Sequence, residues 1–269
     1  MKRMSSSWNV PSRTMCVFLN TVLVCAFLAL APATGSAGAV DECVHLHDSL
    51  RLCYTFQTDD SVKTRALVVT LPMLGRDRTS YSKIVDSLAA EFPQLGFFNF
   101  DLRGHGKSTS LGAGEISYKS MKAEDFSKIP DDIKEALRLI REERKELKDL
   151  PVIVIGASIG ANSAGILANI EPRVKAAALL SPGMFYRGLM PAPHVKMTDE
   201  RRLLYMVGKA DAYSYISTDS LYRMTAGEKR LEVYNTPNHG TNIPNNSPGA
   251  LGDLVEWVRE TLVSLKIVR

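Results

Sequence analysis

The stretch Val152-Ile153-Val154-Ile155-Gly156-Ala157-Ser158-Ile159-Gly160-Ala161 constrains this chain more than any other. Its unbroken apolar start reads as a strand buried on both faces, and such strands belong to parallel sheets covered by helices. Gly-Ala-Ser-Ile-Gly then predicts a sharp turn into a helix, with glycines where a Cβ on either side of the serine has no room. Gly160, Ala161, Ala164, Gly165 and Ala168 give that helix a small-residue face able to lie close on a sheet. Five residues with two Gly and a Ser arise often by chance, so the pattern acquires meaning only from the rest of the chain.

The rest alternates strand and helix. Residues 42–57, with Val44, Leu46, Leu50, Leu52 and Tyr54 alternating with polar neighbours, predict an opening β-hairpin. Ala66 to Leu71 is a second buried strand, followed by a helix from Ser80 to Phe92 and a strand from Phe97 to Asp101. Ile133, Ala136, Leu137 and Ile140 keep helical spacing. Strands at Val174 to Leu180, Leu203 to Val207 and Leu231 to Tyr234 precede a last helix over 249–265. Repeated units of this kind predict one α/β domain: a mostly parallel sheet of about eight strands, helices on both faces, and an amino-terminal β-hairpin. About twenty residues separate the strands ending at Leu180 and starting at Leu203, too few for a large cap domain. The loop 109–130, with Tyr118 and Met121, is placed to roof a site.

The first 39 residues stand apart. Lys2, Arg3 and Arg13 are basic with no acidic companion, Met15 to Leu30 is almost wholly apolar, and Ala37-Gly38-Ala39 has cleavage spacing. Residues 1–39 are thus expected to be a secretory signal peptide and 40–269 the mature domain, in the periplasm or outside the cell. The alternative is a membrane anchor retained over residues 15–33, at the short edge of the ~20 residues a spanning helix needs and interrupted by Asn20 and Thr21. Val24 before Cys25 argues against a lipoprotein signal. Of 33 basic residues three lie in this segment and none of the 29 acidic ones does, so the net charge falls from +4 to +1 without it. No basic stripe remains for nucleic acid. Cys43 and Cys53 flank the turn-like His47-Asp48-Ser49 and can bridge in an oxidising compartment, two free thiols being the alternative.

In such a sheet, ligands bind beyond the carboxyl ends of the strands. Ser158 follows one strand, Gly208-Lys209-Ala210-Asp211 another, and Asn235-Thr236-Pro237-Asn238-His239-Gly240 the last. A serine hydroxyl is a weak nucleophile, so Ser158 needs a base, His239, to take its proton and return it to the leaving group. Asp211 would fix the imidazole tautomer and stabilise its charged form. A tetrahedral oxyanion needs N–H donors, expected from Ile159 and from Met73 in the loop after strand 66–71. Met73 filling a core gap is the plainer alternative. His105 sits in a glycine-rich turn, His194 in a proline-rich stretch, and His45 and His47 in the hairpin; Asp199, Asp219 and Asp253 have ordinary solvated settings. No Cys/His/acid cluster has metal-ligand spacing and no nucleotide fingerprint follows a strand, so no cofactor and no metal are expected.

With these residues in order, the chain resembles the α/β-hydrolase superfamily over 60–265, in particular its dienelactone-hydrolase-like and bacterial esterase branches. Asp101-Leu102-Arg103-Gly104-His105-Gly106-Lys107-Ser108 is similar to that superfamily's Asp-x-Arg-Gly-x-Gly-x-Ser turn, and Gly156 to Gly160 to its nucleophile elbow. Ser181-Pro182-Gly183, Tyr186-Arg187-Gly188 and His239-Gly240-Thr241-Asn242 resemble stretches of secreted members. The resemblance implies Ser158 as nucleophile, Asp211 as acid and His239 as base. One departure is Leu71-Pro72, where members often carry His-Gly, which leaves Met73 and Leu74 as alternatives for the second donor. The expected activity is an exported carboxylesterase acting on a small-molecule or polymer-borne ester with a small acyl group. A non-catalytic binding module on the same fold, and a peptidase or thioesterase using the same triad, are the alternatives.

Overall fold

A computed structural model describes residues 38–269, so the expected signal segment, or anchor, up to residue 37 lies outside the described residues. Along the chain run β1 (Gly38–His45), β2 (Arg51–Thr58), β3 (Ala66–Leu71), α1 (Ser82–Glu91) and β4 (Leu95–Phe100). The short strands β5 (Ser110–Leu111) and β6 (Gly114–Glu115) follow, then α2 (Ala123–Ser127), α3 (Ile129–Glu143), β7 (Val152–Ala157) and α4 (Ile159–Ile170). The remainder is β8 (Val174–Leu180), α5 (Ala192–Val195), β9 (Arg202–Gly208), α6 (Ala212–Met224), β10 (Glu228–Tyr234), α7 (Asn242–Asn246) and α8 (Ala250–Ser264). Among the described residues no helix is long and apolar enough to cross a membrane.

Eight strands form one sheet in the order β1-β2-β4-β3-β7-β8-β9-β10. The hairpin β1-β2 is antiparallel, β2 joins β4 antiparallel, and the remaining pairs are parallel. Cys43 faces Cys53 in the hairpin register, and a disulfide joins them across Cα atoms 4.0 Å apart. Side-chain alternation divides the core. Val152 and Val154 point into the layer under α3 and α4, with Leu137, Ala164 and Phe98. Ile153 and Ile155 point into the opposite layer under α1 and α8, with Leu88, Leu254 and Trp257. Burying an aliphatic or aromatic side chain of this size stabilises by about 1.5–3 kcal/mol, which is why these runs read as continuous apolar sequence.

The strand order places the site. After β3 the chain turns to β4 on one side, and β7 returns on the other. The loops leaving β3 and β7 therefore diverge and open a crevice at the strands' carboxyl ends. Between β8 and β9 only the four-residue α5 is helical, and there is no large cap.

The expectation for the loop 109–130 needs correction. The segment 109–130 is not an irregular roof: it carries β5, β6 and α2. Tyr118 stacks on His105 with centroids 4.7 Å apart, and Met121 is buried with its sulfur against Gly104. Both side chains brace the glycine-rich turn and neither lines the cavity described below.

Candidate active site

Ser158 is the single residue between β7 and α4, held at φ 53°, ψ −114°. A non-glycine residue at positive φ costs on the order of 1–3 kcal/mol and persists only where its surroundings over-determine it. Here the surroundings are backbone: a Cβ on Gly156 would overlap the Gly160 carbonyl, and one on Gly160 would overlap the Leu71 carbonyl. The Ser158 N–H donates to the Leu180 oxygen at 2.8 Å, pinning the turn to β8. Because Leu71 lies directly on Gly160, the loop carrying Met73 passes beside the first turn of α4.

Asp211 and His239 come from the loops after the neighbouring strands β9 and β10. Lys209 N–H donates to Tyr234 O at 2.8 Å and Ala210 N–H to Thr236 O at 3.2 Å, stitching the two loops together. Gly208 leaves room for this, since a Cβ there would sit 2.6 Å from the Thr236 and Asn238 oxygens. His239 Nδ1 lies 2.6 Å from Asp211 Oδ2, and Ser214 Oγ lies 3.4 Å from the same nitrogen. Ionised carboxylates accept, so Nδ1 carries the proton and Nε2 is left free to act as a base.

The three residues meet at one cavity of ≈ 180 Å³, which Ser181, Tyr186 and Tyr213 also line. A wider groove of ≈ 860 Å³ along α3, past Glu135, Arg138 and Arg141, contains none of them. Met73 and Ile159 are placed as follows. Ile159 opens α4, and the first N–H groups of a helix have no intrahelical acceptor. Met73 has a buried side chain whose sulfur packs on Gly240, and among the described residues its N–H has no backbone acceptor. Both the core-filling and the donor positions are thus compatible with one residue, since one uses the side chain and the other the backbone.

Sequence reasoning missed Ser181, Ser214 and Asn162. Ser181 is buried, sits at φ 54°, and its Oγ accepts the Gly240 N–H at 3.0 Å, fixing the peptide just after His239. Asn162, one turn after Ser158 and fully buried, accepts the Gly183 N–H at 2.8 Å and donates to Leu189 O at 3.2 Å, tying down the loop after β8. These contacts span 21 to 59 residues along the chain, and no local pattern announces them.

The glycine-rich turn 101–108 is structural. Asp101 is buried and accepts from the Arg78 guanidinium, from Arg78 N–H at 2.9 Å and from Lys107 N–H at 2.7 Å. Arg103 is buried between Asp132, which its Nε reaches at 2.8 Å, and Asp48 at 2.7 Å. Among the described residues no group of His, Cys, Asp and Glu could hold a metal ion.

A parallel sheet of this order, with a strained serine turn between its central strand and a helix, defines an α/β hydrolase. Within that class the chain belongs to the hydrolase family described as serine aminopeptidase, S33, whose model matches residues 62–263. No curated protein matches the sequence. Among solved structures, an esterase of Pyrococcus furiosus is similar in fold, with a TM-score of 0.67 at 15% identity over 93% of this chain and 96% of that one. The dienelactone hydrolase of Anabaena variabilis superposes with a TM-score of 0.62 at 15% identity, over 84% and 98% of the two chains. For acetyl xylan esterase 1 of a Thermoanaerobacterium species the values are 0.60 and 15%, over 82% and 87%.

Proposed function

We propose that the protein is an exported serine hydrolase that cleaves carboxylic esters of small acyl groups through an acyl-Ser158 intermediate. The observation that carries this reading is the 2.6 Å bond from His239 Nδ1 to Asp211, with Ser158 on its strained turn at the same cavity. His239 Nε2 takes the Ser158 proton as Oγ attacks the acyl carbon. The oxyanion that forms is received by the N–H groups of Ile159 and Met73, and donors of this kind are worth about 10²–10³ in rate each. The tetrahedral intermediate collapses as the imidazolium gives its proton to the departing alkoxide, and water, activated by the same imidazole, then releases the acid.

The family description raises peptide cleavage as a second reading. An aminopeptidase has to hold a substrate ammonium group, and the one carboxylate among the described residues lining the cavity, Asp211, is engaged by His239. That favours esters. The Cys43–Cys53 disulfide supports the exported state, because such bonds persist in oxidising compartments.

Labelling with a fluorophosphonate probe tests the assignment. Wild-type protein is expected to be labelled and Ser158→Ala not at all, with acetyl and butyryl esters turned over faster than octanoyl esters. Labelling that survives Ser158→Ala overturns the nucleophile. A folded wild-type protein that neither labels nor turns over esters, thioesters or peptides is a binding module instead.

A further inference from the structure

The cavity is smaller than the ~300 Å³ at which pockets begin to enclose a drug-sized ligand, at ≈ 180 Å³. It therefore encloses only part of any sizeable ester, and the rest must lie on its rim. That rim is unusual in composition. All four aromatic side chains that are exposed among the described residues, Phe185, Tyr186, Tyr213 and Tyr215, lie in two short segments, 185–186 and 213–215, and Tyr186 and Tyr213 line the cavity itself. Exposed apolar surface concentrated at a site marks what the site receives.

The rim is also rigid. The Tyr213 hydroxyl donates to Phe185 O at 2.6 Å and accepts from Phe185 N–H at 3.3 Å. Its ring rests on Gly183, where a Cβ would sit 2.9 Å from the ring edge. Asn162 holds the same loop from below through Gly183 N–H and Leu189 O. The Tyr213 ring is thus fixed at the mouth although it remains 54% exposed, and Tyr186 lines the same cavity beside it. A surface Tyr held this firmly loses little further entropy when a ligand covers it.

The direction of the chemistry says which half of the ester meets the rim. His239 delivers the proton to the departing alcohol oxygen, and Tyr213 is two residues past Asp211, the partner of His239. Ser214, the next residue, lies 3.4 Å from His239 Nδ1, so Tyr213 stands on the His239 side of the cavity, the side toward which the protonated alcohol departs. We propose that Tyr186 and Tyr213 form the leaving-alcohol subsite and select esters whose alcohol bears a flat ring, the ring face lying against theirs. The proposal rests on the esterase reading above.

The test compares kcat/KM for benzyl acetate and ethyl acetate, whose alcohols are of similar acidity, so intrinsic reactivity is matched. The wild type is expected to favour the benzyl ester by on the order of tenfold, the size of a well-made ring-on-ring contact plus added area. Tyr186→Ala and Tyr213→Ala are each expected to lower that ratio by roughly three- to tenfold. Tyr213→Phe keeps the ring and loses the latch to Phe185, and is expected to retain more of the ratio than Tyr213→Ala. 6-O-acetylglucose, whose ring is a puckered chair, is expected to gain no such preference over ethyl acetate; a preference equal to that for benzyl acetate and lost in the same variants assigns the rim to a sugar and overturns the flat-ring proposal. A protein that labels with fluorophosphonate and hydrolyses both acetates, yet shows equal ratios in wild type and both alanine variants, overturns the subsite and leaves the esterase reading intact. Absence of labelling overturns the esterase reading itself. Binding to phosphatidylcholine vesicles that is lost in Tyr186→Ala and Tyr213→Ala, with the ratio unchanged, assigns the rim to a lipid surface and also overturns the proposal.

Discussion

His239 Nδ1 and Asp211 Oδ2 lie 2.6 Å apart although 28 residues separate them, because the loops that carry them follow adjacent strands and are hydrogen-bonded to each other. The bond fixes which imidazole nitrogen carries the proton. Replacing Asp211 by Asn keeps the shape and offers an amide N–H where an acceptor is required, so the ring adopts the wrong tautomer. Asp211→Asn is expected to lower kcat by on the order of 10³–10⁴-fold with little change in Tm, as checked by ester turnover beside a melting curve.

Gly160→Ala tests the elbow from the other side. The added methyl would meet the Leu71 carbonyl, a backbone atom that cannot rotate away. Overpacking of this kind costs about 1–3 kcal/mol or more, and each kcal/mol is about 2–4 °C of Tm in a domain of this size. The expected result is a lower Tm together with a loss of turnover, because the β3 loop that carries Met73 has to retreat. Wild-type Tm in Gly160→Ala would show that the Leu71 carbonyl can move aside to accept a methyl group.

How much of this was legible in the sequence depends on whether a contact is local. The elbow could be read because Gly156, Ser158 and Gly160 lie within five residues, and the strands because burial on both faces leaves continuous apolar runs. Asp211 and His239 could be found by looking just past strand ends. Helix α6 could not be read: it buries Ser214, Ser217, Thr218 and Leu221 while Tyr213, Tyr215 and Ile216 face out, so its apolar pattern is inverted relative to an ordinary amphipathic helix. The role of Tyr118 was misjudged for a related reason. Its ring is used against His105, a partner that only the folded turn supplies.

His105 gives a pH dependence. It is buried, its Nδ1 donates to Arg103 O at 2.9 Å, and among the described residues its buried Nε2 has no partner. Burial pushes its pKa below the ordinary histidine value of 6.5. Above pH ~6.5 both folded and unfolded chains hold it neutral and its contribution is complete; below that, the unfolded chain binds a proton the folded chain resists, and stability is lost as pH falls. Urea midpoints measured between about pH 7 and pH 5 are expected to fall with acid more steeply in the wild type than in His105→Gln. Parallel curves for the two proteins would remove His105 as the source.

The Cys43–Cys53 bond closes a loop with a sequence separation of 10. Chain-entropy arguments give a bridge over so short a loop about 2–3 kcal/mol. The double variant Cys43→Ser, Cys53→Ser is expected to melt several degrees lower while its kcat stays near wild type, since neither residue borders the cavity. Reduction of the wild type with dithiothreitol should reproduce the shift in Tm, and a double variant that melts with the wild type would show that the bridge adds nothing.

β10 is one of the two edge strands of the described sheet, paired with β9, and most of its residues are only partly buried, whereas the other edge strand, β1, is tied to β2 by the disulfide. In a protein acting as proposed, the general base is thus moored to the part of the sheet that can let go first. Edge elements open at lower cost than a central strand such as β7. Release of that one strand would carry His239 away while seven strands and both cores persist, giving the protein an inactive condition short of denaturation. On gradual heating, catalysis would then be expected to fade before circular dichroism registers any loss of structure, and to return on cooling without refolding of the whole chain.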